Sequence, residues 1–206
     1  MERVIVVGSG GHAKVVITTA RAAGLEVTAL TDDDPARWGQ FVLGVEIIGP
    51  APPILDDPRQ VAVLAIGGNR ARQRRALAAR CQFATLVHPG AIVDASVRLG
   101  AGTVVFAGAV IQPDAVLGAH VIVNTGASID HDCAIGDFAH IAPGAHLAGG
   151  VELGEGGFLG IGAVVIPNVR IGAWTTVGAG AAVVDDLAAN LVAAGVPARP
   201  LAQSSE

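Results

Sequence analysis

From Val87 to Ala188 the chain repeats itself every six residues, as in Val123-Asn124-Thr125-Gly126-Ala127-Ser128 followed by Ile129-Asp130-His131-Asp132-Cys133-Ala134. The first position of the hexad runs Val87, Val93, Leu99, Val105, Ile111, Leu117, Val123, Ile129, Ile135, Ile141, Leu147, Leu153, Leu159, Val165, Ile171, Val177, Val183, and every one is a branched aliphatic. The second position is often Gly (Gly100, Gly118, Gly136, Gly154, Gly160, Gly172, Gly178), and the fifth is small, as in Ala109, Ala115, Ala127 and Cys133. A period of six fits neither a helix nor simple strand alternation, so it describes a coil of short strands joined by tight corners.

If three hexads make one turn of a triangular prism, residues eighteen apart stack in adjacent coils, about 4.8 Å apart. The aliphatic ladder then fills a narrow interior, and the small fifth position fits beside a corner where a larger side chain would strike its stacked neighbour. Each coil covers the strand edges of the last, so a chain with only 3% aromatic residues still has a core. A β-sandwich would instead need strands of varied length with turn signals about every 8–12 residues.

Outside the repeat the chain reads differently. Val4 to Val7 is a continuous apolar run followed at once by Gly8-Ser9-Gly10-Gly11-His12-Ala13-Lys14. Val15 to Ala23 reads as a helix ending at Gly24, Glu26 to Leu30 as a strand closed by Thr31-Asp32-Asp33-Asp34-Pro35, Val61 to Ile66 as a third strand, and Arg70 to Cys81 as a helix with several arginines on an exposed face. Alternating strands and helices predict a small parallel sheet of the Rossmann type. We expect residues 1–84 to form this α/β domain and residues 85–206 the β-helix with a C-terminal tail. Gly8-x-Gly10-x-x-Ala13 with Asp32 about 20 residues on nearly matches a dinucleotide fingerprint, and its backbone N–H groups at a helix N-terminus suit a phosphate. With about 80 residues available, one nucleotide fits better than a dinucleotide.

The formal net charge of −5 excludes the basic excess that nucleic-acid binding needs. No apolar run approaches a membrane span of about 20 residues, and none has a signal-peptide core, so a cytoplasmic protein is expected. The two cysteines, Cys81 and Cys133, suit a reducing compartment.

The hexads resemble the left-handed parallel β-helix of the hexapeptide-repeat acyltransferases. The left hand is what the resemblance implies, since general connection rules favour the right-handed form. The run from Gly8 to Val15, taken with Thr125-Gly126 and Asp130-His131-Asp132-Cys133, is similar more narrowly to the bacterial nucleotide-sugar N-acetyltransferases, whose substrates include GDP-perosamine and UDP-linked 4-amino sugars; sialic acid O-acetyltransferases lie in the same family. The resemblance implies an acetyl-CoA-dependent N-acetyltransferase of a UDP-, GDP- or dTDP-linked amino-dideoxy sugar, working as a homotrimer with sites between subunits and needing no metal. It makes His131 the catalytic base with Asp132 as acidic partner, and places acetyl-CoA against His140, Ile161, Gly178 and Ala179. It assigns the nucleotide sugar to Gly10, Gly11, His12, Asp32, Asp33 and Gly67. Eighteen residues after His131 stands Gly149, whose backbone N–H we expect within reach of a substrate oxygen. His88, His120 and His146 match nothing and are expected at the surface. Two alternatives stay open: O-acetylation of a sialic acid, and a trimeric scaffold without catalysis.

Overall fold

The computed structural model describes residues 2–201; Met1 and the last five residues of the expected second domain lie outside the described residues. β1 (Arg3–Val7), α1 (Gly11–Ala22) and β2 (Glu26–Thr31) open the chain. A hairpin of β3 (Phe41–Val42) and β4 (Val45–Glu46) follows, turning at Leu43 and Gly44, both with positive φ. Then come α2 (Pro52–Leu55), β5 (Val61–Leu64), α3 (Asn69–Ala78) and β6 (Gln82–Phe83). The sheet has the order β2-β1-β5-β6 and is parallel throughout. α1 starts four residues before the expected Val15, because Gly10 occupies its N-cap and the glycine-rich turn is itself the first turn of the helix.

The hexads build a prism of three parallel sheets. In the first, Leu86–Val87, Val104–Val105, Ile122–Val123, His140–Ile141, Phe158–Leu159 and Thr176–Val177 stack at a spacing of eighteen. The second stacks Ile92–Val93 through Ala182–Val183, and the third Arg98–Leu99 through Arg170–Ile171. First hexad positions from Val105 to Val183 point inward and are buried, as are the fifth positions Ala109, Ala115, Val121, Ala127 and Cys133. The thiol of Cys133 donates to the Ala148 carbonyl at 3.2 Å.

The α/β domain sits on the outer face of the first sheet. Leu86, Val104 and Ile122 hold the sixth hexad position, which alternation turns outward. They share one apolar cluster with Val4, Ala13, Val16, Ile17 and Ala20 of β1 and α1, and with Phe106.

Two expectations are corrected at this junction. Arg72 of the arginine-rich helix is 1% exposed rather than solvated. Its guanidinium donates to the carbonyls of His120 (2.9 Å), Ile66 (2.9 Å), Gly67 (3.2 Å), Phe138 (2.7 Å) and Ala139 (3.3 Å), and to Asn69 Oδ1 (3.1 Å). An arginine suits this position because its planar fork can serve carbonyls on both domains at once. His120 is likewise buried, stacked on Phe138 and met edge-on by Phe83, because β6 covers that corner of the prism. His146 is exposed and bonded to Ser128, and His88 is partly exposed.

Candidate active site

The turn from Asp130 to Cys133 connects the second sheet to the third, on the edge of the prism opposite the first sheet. Asp132 takes φ +60°, which curls its carboxylate back, and Oδ2 lies 2.8 Å from His131 Nδ1. The backbone N–H of His131 donates to Asp130 Oδ1 at 2.8 Å. A carboxylate acceptor fixes the proton on Nδ1 and leaves Nε2 with its lone pair outward. The Asp132 hydrogen bond, and after it the charge of Asp130, raise the imidazole above its ordinary pKa of 6.5. The side chain is 61% exposed in the single chain. Beneath the ring lies Gly149, one coil along, where a Cβ would fall 2.5 Å from His131 Cε1. Gly149 is buried under the imidazole.

His140 stands elsewhere, at an outward position of the first sheet, and the α/β domain buries it to 8% exposure. Asn124 Oδ1 accepts from the Thr125 N–H at 2.9 Å, so its Nδ2 faces His140 Nε2 at 3.2 Å. The imidazole thus accepts at Nε2 and directs Nδ1–H at the Gly67 carbonyl, 3.3 Å away. Burial, then the charges of Arg72 and His12, lower His140 to about 4. His12 meets Phe106 edge-on and lies 6.4 Å from the His140 ring, so it faces the interdomain seam. Ile161, Gly178 and Ala179 occupy stacked turns on the edge between the first and second sheets, with Ile161 62% exposed.

A cavity of about 510 Å³ opens at the C-terminal ends of β1, β2 and β5, between α2 and α3. Its apolar walls come from Val7, Ala51, Pro52, Leu55, Ile66 and Ala71, and its polar ones from Thr31, Asp32, Asp33, Asp56, Arg74 and Arg75. Asp32 is held by the hydroxyl of Ser9, by Arg37 Nη1 at 3.1 Å and by the Asp34 N–H at 3.0 Å. Burial alone would raise this carboxyl, but those bonds outweigh it and the net shift is downward. Asp33 is ion-paired with Arg75. Gly8, with φ +103° and a Cβ position 3.0 Å from the Ala65 carbonyl oxygen, is the glycine this lining requires. Gly10 and Gly11 have open space around them and do not line the cavity; nor does His12, which the sequence placed with the nucleotide.

Residues 3–78 match the family model described as the PglD N-terminal domain. PerB from Caulobacter crescentus, solved in complex with CoA and GDP-perosamine, is 47% identical over 98% of both chains with a TM-score of 0.90. The chain belongs to the hexapeptide-repeat nucleotide-sugar N-acetyltransferases. The acetyltransferase domain of PglB from Neisseria gonorrhoeae FA1090, solved with acetyl coenzyme A, is 39% identical over 97% of this chain and 99% of that one, with a TM-score of 0.89. WeeI from Acinetobacter baumannii AYE, 22% identical over 98% of this chain and all of that one, shares the fold with a TM-score of 0.86. No curated protein matches the sequence. The fold is the Rossmann-like domain and left-handed β-helix of this family.

In this family member, the expected site residues fall into three groups. His131, Asp132 and Gly149 meet on one edge; Ile161, Gly178 and Ala179 stack on the next; His12, Gly67 and His140 meet at the domain junction, beside the cavity that holds Asp32 and Asp33. One chain does not join the first group to the others. Sequence reasoning missed Thr31, Asp56 and Arg74 as cavity residues. The signal for Thr31 was available, since it ends β2 next to Asp32. Among the described residues no helix is long and apolar enough to cross a membrane, and no cluster of three His, Cys, Asp or Glu side chains could hold a metal ion.

Proposed function

We propose that this protein transfers the acetyl group of acetyl-CoA to the amine of a nucleotide-linked amino-dideoxy sugar, with His131 as general base. The observation that carries the reading is the 2.8 Å contact between His131 Nδ1 and Asp132 Oδ2, which leaves Nε2 free on an exposed edge. PerB, 47% identical, was solved with CoA and GDP-perosamine, and variants of that enzyme with one histidine replaced by Asn or Ala have been solved with the same two ligands.

The chemistry follows from that geometry. The sugar amine attacks the thioester carbonyl, and Nε2 of His131 removes the proton that the forming C–N bond makes acidic. Asp132 stabilises the resulting imidazolium and holds the ring in place. Collapse of the tetrahedral intermediate breaks the C–S bond, and the same proton passes to the departing sulfur, giving amide and free CoA. The acyl donor lies along Ile161, Gly178 and Ala179 with its acetyl end near His140, and the backbone N–H of Gly149 faces the developing oxyanion. Residues 1–84 bind the nucleotide, through the cavity with Asp32 and Asp33 and the turn at Gly10, Gly11 and His12 beside Gly67, while residues 85–206 carry the transfer.

A homotrimer supplies what one chain lacks. The His131 edge is opposite the sheet that carries the α/β domain, and a threefold arrangement brings that edge of one copy against the Ile161 edge of the next. Static light scattering should give three times the chain mass. Buried, unpaired Cys81 and Cys133 support residence in the reducing cytoplasm. The direct test of function is thiol release from acetyl-CoA with amino-sugar nucleotides as acceptors: amine-dependent release supports the reading, and release dependent only on a sialic acid hydroxyl contradicts it.

A further inference from the structure

We propose that the cavity between α2 and α3 selects guanine, with the Asp56 carboxylate and the Arg74 guanidinium reading the base; this rests on the nucleotide-sugar reading above and specifies its nucleotide. The polar groups of the cavity divide into engaged and free. Asp32 is occupied by Ser9, Arg37 and the Asp34 N–H, and Asp33 by Arg75. Among the described residues, the side chains of Asp56 and Arg74 have no hydrogen-bond or ion-pair partner, although both line the cavity. Asp56 follows α2 and Arg74 lies on α3, the two helices that flank the cavity, and Ala51, Leu55, Ile66 and Ala71 give it apolar walls. Thr31, 0% exposed, also lines the cavity, and its Oγ1 has no partner. A buried hydroxyl left unpaired costs free energy, and a ligand group entering the cavity relieves that cost.

A cavity with apolar walls, a carboxylate at the end of α2 and a guanidinium on α3 selects among the bases by their edges. Guanine presents two adjacent donors, N1–H and the N2 amino group, which a carboxylate accepts side by side, and its O6 and N7 are acceptors that an arginine fork serves. Uracil and thymine offer one imide N–H between two carbonyl oxygens, so a carboxylate there gains one hydrogen bond and meets two repulsive neighbours. Adenine offers one amino donor beside a bare ring nitrogen. Guanine alone gives the carboxylate two adjacent donors and the guanidinium two adjacent acceptors.

The test is calorimetric titration of the full chain with GDP, IDP, UDP, dTDP and ADP under one buffer and salt condition. IDP is guanosine diphosphate without the N2 amino group. The proposal expects GDP to bind at least about tenfold more tightly than UDP, dTDP or ADP, and IDP to fall between, since a lost charged hydrogen bond is worth about that factor. Asp56→Asn, with a melting curve to check folding, should bring GDP down to the IDP affinity and leave UDP binding unchanged. Arg74→Met should weaken GDP and IDP alike. Equal affinity for GDP and IDP, or tighter binding of UDP or dTDP, overturns the guanine assignment and leaves the nucleotide-sugar reading standing. Failure of every diphosphate to bind overturns both. The wild-type comparison of GDP with IDP decides the Asp56 contact even if the variant does not fold.

Discussion

The imidazole of His131 lies directly on the backbone of Gly149, so closely that a methyl group there would stand 2.5 Å from Cε1 and 2.6 Å from Nε2. The residue stacked on the base must therefore have no side chain. Gly149→Ala would push the ring outward and stretch its bond to Asp132, while the inward ladder of Ile129 and Leu147 stays in place. We expect kcat to fall by about tenfold or more, in line with the sensitivity of proton transfer to sub-ångström misplacement, with a melting temperature close to that of the parent. Steady-state kinetics paired with a melting curve checks this. A parental kcat would mean that the ring does not need its present seat.

His131 also sets a pH dependence. Its pKa is raised above 6.5 by Asp132 first and Asp130 second, and a base works only when unprotonated. The rate constant kcat/KM should therefore rise with pH through a midpoint above 6.5 and then level off. Asp132→Asn removes the stabilising charge, so the midpoint should move down while kcat falls by less than in a variant lacking the imidazole. A midpoint that stays put in Asp132→Asn contradicts the pairing.

The prism was readable because its signal is redundant: each inward position from Val105 to Val183 repeats one choice, and eighteen-residue stacking follows from three hexads. The junction was harder. His120 looks like any polar corner residue, and its burial depends on Phe83 and Phe138, which come from different parts of the chain. Arg72 sits among Arg70, Arg74 and Arg75, and nothing local distinguishes the one that turns toward backbone carbonyls from its neighbours. The outward aliphatics Leu86, Val104 and Ile122 did carry a signal, since they mark the one face that a second domain must cover. His131 and Asp132 were legible as a motif, but the separation of their edge from the cavity of the α/β domain appears only once the prism has three faces.

Arg72 should be the main polar tie between the domains. Its burial lowers its pKa to about 10, so it stays charged at neutral pH while serving five backbone carbonyls. Arg72→Met would leave the carbonyls of His120, Ile66 and Phe138 without donors, at about 1–3 kcal/mol for each that water cannot reach, while Ala139 keeps the Ile122 N–H and Gly67 keeps His140. We expect a loss of several kcal/mol in denaturant unfolding, and a second transition if the domains come apart first. Arg72→Lys should recover little, because one ammonium cannot span both sides. A single transition at the parental midpoint would show the hub to be dispensable.

Acid should loosen the same junction. His12, His120 and His140 are each lowered from 6.5 to about 4, chiefly by burial, so the unfolded chain binds protons that the folded one refuses. Their contribution is fully present above 6.5 and is lost as pH falls toward 4. The melting temperature should already decline between pH 6.5 and 5, before most carboxylates titrate. A flat profile over that interval contradicts the burial of these rings.

The central claim, that His131 is the base, is tested most directly by His131→Ala in steady-state kinetics with acetyl-CoA and an amino-sugar nucleotide. General-base catalysis is typically worth about 10² to 10⁴ in rate, so kcat should fall by that factor. The melting temperature should be retained, since the side chain lies at an exposed corner, and so should acetyl-CoA affinity, since the donor's proposed contacts come from Ile161, Gly178 and Ala179 and not from the imidazole. A well-folded His131→Ala protein that turns over at the parental kcat would contradict the account.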